Sequence, residues 1–437
     1  MERTVTEALV AWKDSPRRKP LLLFGARQVG KTWLLRELGR RYYQRTVYLS
    51  LDQSATARSV FDGDLDAVRI VSDLAVLAGG GPVDPATTLI VLDEVQEAPR
   101  ALTALKYFAE NAPQYHLACA GSLLGVAAHP GTSFPVGKVD MVDVRPMTFP
   151  EFLRAADEEP LADVVVAGEL DRLAPFHDRL VSLLRWYLFV GGMPEAVEQF
   201  VPDRDPDAAR QVQMEILGAY ERDFSKHTPA TEVPRLRALF GSVPAQLARE
   251  NRRFVYGEAQ QGARAKTMEL ALQWLLDAGL VHRVPRVTAA RLPLAGYADN
   301  AFKLYLVDTG LIGAMAGLDA RTLVDGHRLF TEFKGSLTEQ YALQELVAAQ
   351  MVPWYWARTG GAEVDFVVQH AGTIVPVEVK AEVNLQAKSL RVFRDTYAPQ
   401  VSIRTSLRPF RDEGWLVNLP LYALSALPSI ITGRNRD

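Results

Sequence analysis

A short glycine-bounded segment near the N-terminus constrains this chain more than any other feature. Residues 25–32 read Gly-Ala-Arg-Gln-Val-Gly-Lys-Thr, between the apolar run Pro20–Phe24 and a helix-forming stretch that begins at Thr32. A strand, a glycine turn and a helix in this order point backbone N–H groups and a helix N-terminus at a phosphate group. A chance match in a glycine-containing turn is the alternative, and this context disfavours it. We therefore predict that the loop binds a nucleoside triphosphate.

The residues of this loop have separate expected roles. We expect Lys31 to neutralise the β- and γ-phosphates and Thr32 to hold Mg²⁺ through its hydroxyl group. The predicted nucleotide site comprises Gly25, Ala26, Arg27, Gln28, Val29, Gly30, Lys31, Thr32 and Trp33.

A second motif supplies two adjacent carboxylates. Residues 88–94 read Thr-Leu-Ile-Val-Leu-Asp-Glu, and the apolar run predicts a central strand of a parallel sheet, covered on both faces. The two acids then lie at the carboxyl edge, where ligands bind in open α/β sheets. We expect Asp93 to join the Mg²⁺ shell and Glu94 to orient or deprotonate the attacking water. A strand that ends in two solvated carboxylates is the alternative.

Other candidate residues of this region are less specific. Ser122 ends the apolar segment 116–122 and is a candidate sensor of the γ-phosphate, although it could equally cap the next helix. Lys138, Arg145 and Arg154 are candidates for a cation that reaches a neighbouring subunit's nucleotide, with surface solvation as the alternative.

Composition excludes several classes of protein. The 437 residues carry a formal net charge of −3, so any nucleic acid must meet a local basic surface. The single cysteine, Cys119, excludes an internal disulfide framework and suits a reducing compartment. The chain shows no apolar leader and no stretch long enough to span a bilayer. We therefore expect a cytoplasmic protein without a membrane partner.

The middle of the chain predicts helices followed by a winged-helix pattern. Residues 151–250 are rich in helix formers, and within residues 250–310 a short helix, a turn and a longer helix precede two strands. We expect DNA phosphates to contact the basic residues around this pattern, with protein packing as the alternative. These residues are Arg252, Arg253, Arg264 and Lys266.

A second group of charged residues lies near the C-terminus. Glu339 falls in an amphipathic helix, and Asp365 falls near the start of a strand. Alternation places Glu378 and Lys380 on one face of the next strand. A hairpin turn at residues 371–373 brings that strand beside the strand of Asp365.

Six motifs together resemble the prokaryotic AAA-type P-loop ATP-binding proteins that carry an uncharacterised C-terminal domain with a restriction-endonuclease-like core. The resemblance runs from about residue 15 to residue 405 and implies a P-loop ATPase. The motifs are Gly25–Thr32, Leu92–Gln96, Gly121–Gly125, Phe134–Lys138, Phe149–Phe152 and Gly191–Glu195.

The C-terminal charged residues resemble the PD-(D/E)xK phosphodiesterase core. By that resemblance, Asp365 and Glu378 would coordinate a second Mg²⁺ or a Mn²⁺, and Glu339 would complete the metal shell. Lys380 would orient or activate water. A surface ion-pair network, or a module that binds DNA or assembles without cleavage, is the alternative.

These observations predict an α/β fold in three parts. Residues 1–155 form an AAA-type P-loop ATPase domain with a parallel sheet. Residues 156–325 form a helical region that contains the winged helix at about 250–310. Residues 326–437 form an α/β restriction-endonuclease-like domain.

The leading functional hypothesis is an ATPase whose nucleotide cycle acts on a DNA-binding C-terminal half, in DNA remodelling or translocation. An ATP-gated, metal-dependent nuclease and an ATP-dependent switch for a protein partner are the two alternatives. The expected ligands are ATP, Mg²⁺ and branched or duplex DNA, and we expect a homo-oligomer.

Overall fold

The chain divides into two compact units. The computed structural model describes residues 1–121, 135–249, 253–320, 331–358, 361–381 and 387–434. Glu2–Arg145 and Asp277–Gly279 form what we call the N-terminal unit. Met1, Pro146–Leu276 and Leu280–Asp437 form the C-terminal unit. The longer segment of the N-terminal unit ends at Arg145. The sequence pattern placed the end of the first domain later, at residue 155.

The N-terminal unit is built on a five-stranded parallel sheet with the strand order β2-β3-β4-β1-β5. Its strands are β1 (Leu21–Phe24), β2 (Arg45–Ser50), β3 (Thr88–Asp93), β4 (His116–Ala120) and β5 (Asp140–Asp143). Its helices are α1 (Val5–Asp14), α2 (Lys31–Tyr42), α3 (Ala55–Ser59), α4 (Ala67–Leu77) and α5 (Pro99–Asn111), and a 3₁₀ turn spans Val95–Glu97. The predicted parallel sheet is confirmed.

The apolar composition of β3 and β4 explains their central position. Every residue of both strands is buried, as expected for strands with helices on both faces of a parallel sheet. Cys119 lies in this core as a buried free thiol. Because neighbouring strands run parallel, the loop after β1 and the acids at the end of β3 meet at the same edge of the sheet.

The C-terminal unit is richer in helices. These are α6 (Phe149–Ala155), α7 (Glu159–Ala167), α8 (Leu170–Leu173), α9 (His177–Val190), α10 (Pro194–Phe200), α11 (Pro206–His227), α12 (Val233–Leu247), α13 (Tyr256–Ala259), α14 (Ala265–Asp277), α15 (Thr309–Met315), α16 (Thr331–Ala348), α17 (Lys388–Tyr397) and α18 (Leu427–Arg434). Short 3₁₀ helices span Ala174–Phe176, Leu294–Tyr297 and Leu421–Ala426. Within the described ranges, no helix combines the length and apolar character needed to cross a membrane.

An eight-stranded mixed sheet forms the other half of this unit, in the order β12-β13-β11-β10-β9-β8-β6-β7. Its strands are β6 (Val281–Val287), β7 (Ala298–Leu306), β8 (Pro353–Ala357), β9 (Glu363–His370), β10 (Thr373–Val379), β11 (Ser402–Ser406), β12 (Arg411–Asp412) and β13 (Leu416–Pro420).

The elements expected for the winged helix are present, but their hairpin is not an isolated wing. Helices α13 and α14 precede the antiparallel pair β6–β7, as the sequence pattern predicts. Strand β6 also pairs in parallel with β8, through Arg286 beside Tyr355 and Val287 beside Trp356. The predicted regions 156–325 and 326–437 therefore contribute strands to one continuous sheet.

Buried polar side chains on α16 fix the first residues of the C-terminal unit. The Oε1 atom of Glu345 accepts a hydrogen bond of 2.8 Å from the backbone N–H of Phe149. The neighbouring side chain, Gln344, donates to the hydroxyl group of Tyr187 at 2.8 Å and accepts from the N–H of Thr309 at 3.0 Å. One helix thus holds three separate segments of the chain through side-chain amide and carboxyl groups.

The motif at residues 191–195 is held by Asp308. Its Oδ2 atom accepts the backbone N–H of Gly192 at 2.6 Å, and its Oδ1 atom caps α15 by accepting from Gly310 and Leu311. Gly191 has a φ of 74°, and a Cβ atom there would lie 2.2 Å from Oδ1 of Asp308. Glycine is therefore required where α9 ends at this carboxylate.

We expect Glu345→Gln to remove a pH dependence of stability. Burial raises the pKa of Glu345 to about 8, with the nearby charge of Glu151 in the same direction and the hydrogen bond from Phe149 against it. The folded protein therefore keeps a proton that the unfolded chain releases between about pH 4.5 and about pH 8. The stabilisation is complete below this window and is lost as the pH rises through it.

The measurement is urea denaturation of parent and variant across this window. Stability of the parent relative to the variant should fall by about 1.4 kcal/mol per pH unit, because glutamine keeps the acceptor for Phe149 and cannot ionise. A constant difference between the two proteins would contradict the assignment.

Candidate functional sites

Two glycines shape the predicted phosphate loop. Gly25 has a φ of 138° and Gly30 a φ of 94°, values that side-chain-bearing residues rarely adopt. A Cβ atom on Gly25 would also lie 2.1 Å from the carbonyl oxygen of Val144. Gly30 precedes α2, so the first N–H groups of that helix have no carbonyl partner within it. These two glycines therefore set the path of the loop backbone ahead of α2.

The Lys31 amine lies within the loop. It donates to the carbonyl oxygens of Gly25 at 3.0 Å and Ala26 at 2.7 Å, and the residue is only 8% exposed. Burial lowers the pKa of Lys31 to about 8, against the opposing effects of the Glu94 and Asp93 charges. In this structure the amine is therefore held by backbone carbonyl groups of its own loop.

Thr32 and Asp93 come together as the two motifs predict. The Thr32 hydroxyl group donates to Oδ2 of Asp93 at 2.7 Å, and the Tyr48 hydroxyl group donates to the same oxygen at 2.7 Å. The guanidinium of Arg36 lies 4.2 Å from the centre of the Tyr48 ring. A hydroxyl and a carboxylate oxygen side by side are the hard ligands that Mg²⁺ takes in proteins, so these residues fit the ion.

Glu94 is held in an unusual conformation beside this pair. Its φ is 52°, in the left-handed region, and its N–H donates to Oδ1 of Asp93 at 3.1 Å. The side-chain amide of Gln96 donates to Oε2 of Glu94. A non-glycine residue in this region stores strain, which is common at functional sites. The carboxylate is therefore oriented by neighbouring groups, as a water-positioning residue requires.

Arg3 is a component of this site that sequence reasoning missed. Its guanidinium donates to the carbonyl oxygen of Val29 at 3.0 Å and to that of Arg145 at 2.5 Å. It thus joins the phosphate loop to the segment that follows β5. Both partners are backbone atoms far away in sequence, so no local pattern could have revealed this role. Tyr48 was missed because its partner, the carboxylate of Asp93, lies on another strand far away in sequence.

The remaining candidates of the first region stay predictions. Ser122 lies outside the described residues. Trp33 follows Thr32 at the start of α2 and is 43% exposed. The three basic candidates each pair with an acid: Lys138 with Glu110 at 2.8 Å, Arg145 with Asp143 at 2.6 Å, and Arg154 with Asp163 at 2.9 Å.

The C-terminal sheet brings three of its four predicted residues together. The hairpin β9–β10 has the expected turn, and its register places Glu378 and Asp365 side by side after the pair Val377–Phe366. The Lys380 amine lies 2.8 Å from Oε1 of Glu378, which confirms that both lie on one face.

The environments of these two acids differ. Oδ2 of Asp365 accepts the N–H of Val379 at 2.8 Å. Burial raises the pKa of Glu378, and its hydrogen bond with Lys380 acts in the opposite direction. Among the described residues, Oε2 of Glu378 is buried and has no hydrogen-bond partner.

The structure places Glu339 beside charged and polar groups of β7 and near Glu363. Its Oε2 atom accepts from the Tyr305 hydroxyl group at 3.1 Å and lies 3.6 Å from the amine of Lys303. The same amine lies 2.6 Å from Oε1 of Glu363. In the part of the chain that the structure describes, no group of three or more His, Cys, Asp and Glu side chains is arranged to hold a metal ion. Glu339 therefore belongs to an ion-pair cluster with β7.

The basic residues around α13 and α14 lie at the surface. Arg253, Arg264 and Lys266 are exposed, whereas Arg252 lies outside the described residues. Two neighbouring arginines are already paired with acids: Arg249 with Glu258 at 2.8 Å, and Arg283 with Glu269 at 3.2 Å.

Comparisons with known proteins bear on the N-terminal unit most directly. Residues 17–153 match the family model described as an AAA domain. Residues 181–322 and 334–423 match two domains of unknown function, DUF8612 and DUF4143. The comparison with curated proteins gives no match. Residues 17–153 are therefore similar to an AAA domain, and the five-stranded parallel sheet fits a P-loop NTPase-like fold.

Solved structures give weaker likenesses. A Walker-type ATPase of Pyrococcus abyssi is 14% identical, with a TM-score of 0.42, over 72% of this chain and 95% of that chain. The Orc1 protein of Aeropyrum pernix, in complex with DNA, is 16% identical, with a TM-score of 0.26, over 72% and 90%. Cdc6p from Pyrobaculum aerophilum is 14% identical, with a TM-score of 0.27, over 77% and 93%. At these scores the likenesses carry no argument about this chain.

We expect Arg3→Met to destabilise the N-terminal unit. The substitution removes two hydrogen bonds from a charged group to buried carbonyl oxygens, so the free energy of unfolding should fall by about 2–3 kcal/mol. Thermal denaturation, together with hydrogen exchange of the loop amides, measures this effect. Arg40→Met is the matched control, because that side chain is 68% exposed in its pair with Glu37. Its effect should stay within about 0.5 kcal/mol, and equal losses in both variants would refute the role of Arg3.

Proposed function

We propose that this chain hydrolyses ATP at the edge of the N-terminal sheet. One observation carries the proposal: the Thr32 hydroxyl group and the Asp93 carboxylate meet at 2.7 Å, beside the buried amine of Lys31 and an oriented Glu94. A phosphate-binding loop alone would support binding. A carboxylate held next to it adds a group that can act on water.

The chemistry divides among these side chains. The loop N–H groups and Lys31 bind the β- and γ-phosphates, which positions the triphosphate. Glu94 orients a water molecule and accepts its proton as the water oxygen attacks the γ-phosphorus, and ADP leaves. When bound by Thr32 and Asp93, Mg²⁺ offsets negative charge on the phosphate oxygens.

Two substitutions test this assignment. Lys31→Ala should abolish detectable hydrolysis because it removes the cation at the phosphates. Glu94→Gln should lower kcat by about 100-fold or more while ATP still binds, because glutamine cannot accept the proton. Steady-state phosphate release and calorimetric ATP titration separate the two effects.

A matched control is Glu7→Gln, an exposed carboxylate on α1. It should hydrolyse ATP at the parental rate. Parental rates in both Lys31→Ala and Glu94→Gln would rule out this site as the place of hydrolysis.

We further propose that the nucleotide cycle acts on DNA held by the C-terminal unit of a homo-oligomer. The support is local charge, because Arg253, Arg264 and Lys266 are exposed on and just before α13 and α14. The adjacent Glu258 and Glu269 pair with Arg249 and Arg283, and exposed cations at this surface attract the phosphates of DNA. The protein-partner switch is the competing hypothesis for the same surface.

The nuclease hypothesis is supported by three of the four residues that it requires. Asp365, Glu378 and Lys380 are adjacent, and the unpartnered Oε2 of Glu378 could ligate a cation. Glu339, the fourth residue of the expected set, is instead paired with Lys303. We therefore propose DNA binding ahead of DNA cleavage for this unit.

The double substitution Arg264→Ala/Lys266→Ala tests DNA contact. Affinity for duplex DNA should fall, and the slope of log affinity against log salt should become less steep by about two phosphate contacts. Fluorescence anisotropy with duplex and branched DNA over a salt series measures both quantities.

Arg40→Ala/Arg41→Ala, on α2, is the control of equal charge and should leave the slope unchanged. Parental binding by the first double variant would remove this surface as the DNA contact. Binding that is absent or independent of salt in the parent would favour the protein-partner switch.

A further inference from the structure

Lys303 is a charged side chain with no exposed surface. It lies on β7, and its side chain is 0% exposed. Its amine is 2.6 Å from Oε1 of Glu363 and 3.6 Å from Oε2 of Glu339, and it lies 5.1 Å from the centre of the Tyr355 ring. The two carboxylates come from different elements, β9 and α16. One ammonium group therefore connects a helix with two strands that are not neighbours in the sheet.

Physical chemistry explains why this amine has to be paired. Transfer of an ammonium ion from water to the interior is unfavourable unless carboxylates and hydrogen bonds compensate it. Glu339 is itself only 2% exposed, and it accepts a further hydrogen bond from Tyr305. Glu363 keeps 32% of its side-chain surface exposed, so water can solvate the outer part of the cluster. The closer contact of the Lys303 amine is with Glu363 at 2.6 Å, whereas Glu339, at 3.6 Å, is the carboxylate more completely removed from water.

We propose that the ammonium group of Lys303 is the resident cation of Glu339 and Glu363, in the position where a metal-dependent phosphodiesterase core would use Glu339 for a metal ion. A side chain of the protein then supplies the positive charge permanently. Glu339 is a structural partner of β7 and does not join the shell of a divalent ion. Of the acids that the resemblance assigns to a metal ion, Asp365 and Glu378 remain as ligands in the described part of this sheet.

This arrangement departs from the PD-(D/E)xK resemblance at a single residue. The hairpin acids and Lys380 lie where that resemblance implies. The helix acid is present in sequence but is taken by a lysine on β7, a strand that belongs to the predicted winged-helix region. The inference concerns the C-terminal unit alone and does not depend on ATP hydrolysis in the N-terminal unit.

A thermodynamic cycle on the full chain tests the pairing. The proteins are the parent, Lys303→Met, Glu339→Gln and the double variant. Lys303→Met should lower the thermal midpoint of the C-terminal unit by about 5–10 °C, because a buried carboxylate loses its cation. The double variant should recover at least half of that loss. Lys303→Met combined with Glu345→Gln is the matched control, since Glu345 lies on the same helix as Glu339 but does not pair with Lys303. The midpoint shifts of these two substitutions should add.

Mn²⁺ binding is measured by electron paramagnetic resonance in the absence of nucleotide. Substitution of a metal ligand would lower this binding. Under the proposal, Glu339→Gln binds the same amount of Mn²⁺ as the parent. This expectation does not depend on the effect of Glu378→Gln on Mn²⁺ binding. Reduced Mn²⁺ binding by Glu339→Gln would overturn the proposal. Purely additive midpoint shifts for Lys303→Met and Glu339→Gln would also overturn it.

Discussion

A buried charge needs a partner, and this constraint explains the arrangement of both units. Lys31 is buried where carbonyl oxygens of its own loop accept hydrogen bonds from its amine, with Asp93 and Glu94 nearby. Lys303 is buried because two carboxylates face it. In each case the cost of removing an ion from water fixes where a neighbouring element must lie. Buried polar contacts thus help to position loops and strands within each unit.

Local patterns were sufficient to predict which residues meet at the edge of the N-terminal sheet. The residues of the loop between β1 and α2 are contiguous, and the apolar run of β3 ends at the two acids. Parallel strands align their carboxyl ends, so the meeting of Thr32 with Asp93 follows from topology alone. The pairing of Glu378 with Lys380 also followed from strand alternation. Each prediction required only a few residues and one geometric rule.

Contacts between distant segments could not be predicted in this way. The guanidinium of Arg3 reaches two backbone carbonyl groups, and carbonyl groups carry no sequence signal. The pairing of β6 with β8 depends on which strand edge remains open once the sheet assembles. The role of Lys303 was hidden because its two partners come from later parts of the chain. The tertiary structure was needed to find these contacts, because local sequence patterns do not indicate which distant segments meet.

Helix α16 contacts several segments of the C-terminal unit that are far apart in the sequence. Glu345 and Gln344 hold the segments around Phe149 and Thr309, and Glu339, two turns earlier, holds β7 through Lys303. A shift of the sheet against this helix would separate a buried ion pair, and a shift of the segment at Phe149 would expose a buried carboxyl group. Both movements are costly. The segment at Phe149 and strand β7 are therefore held to one helix, so that within this unit they keep a fixed position relative to each other.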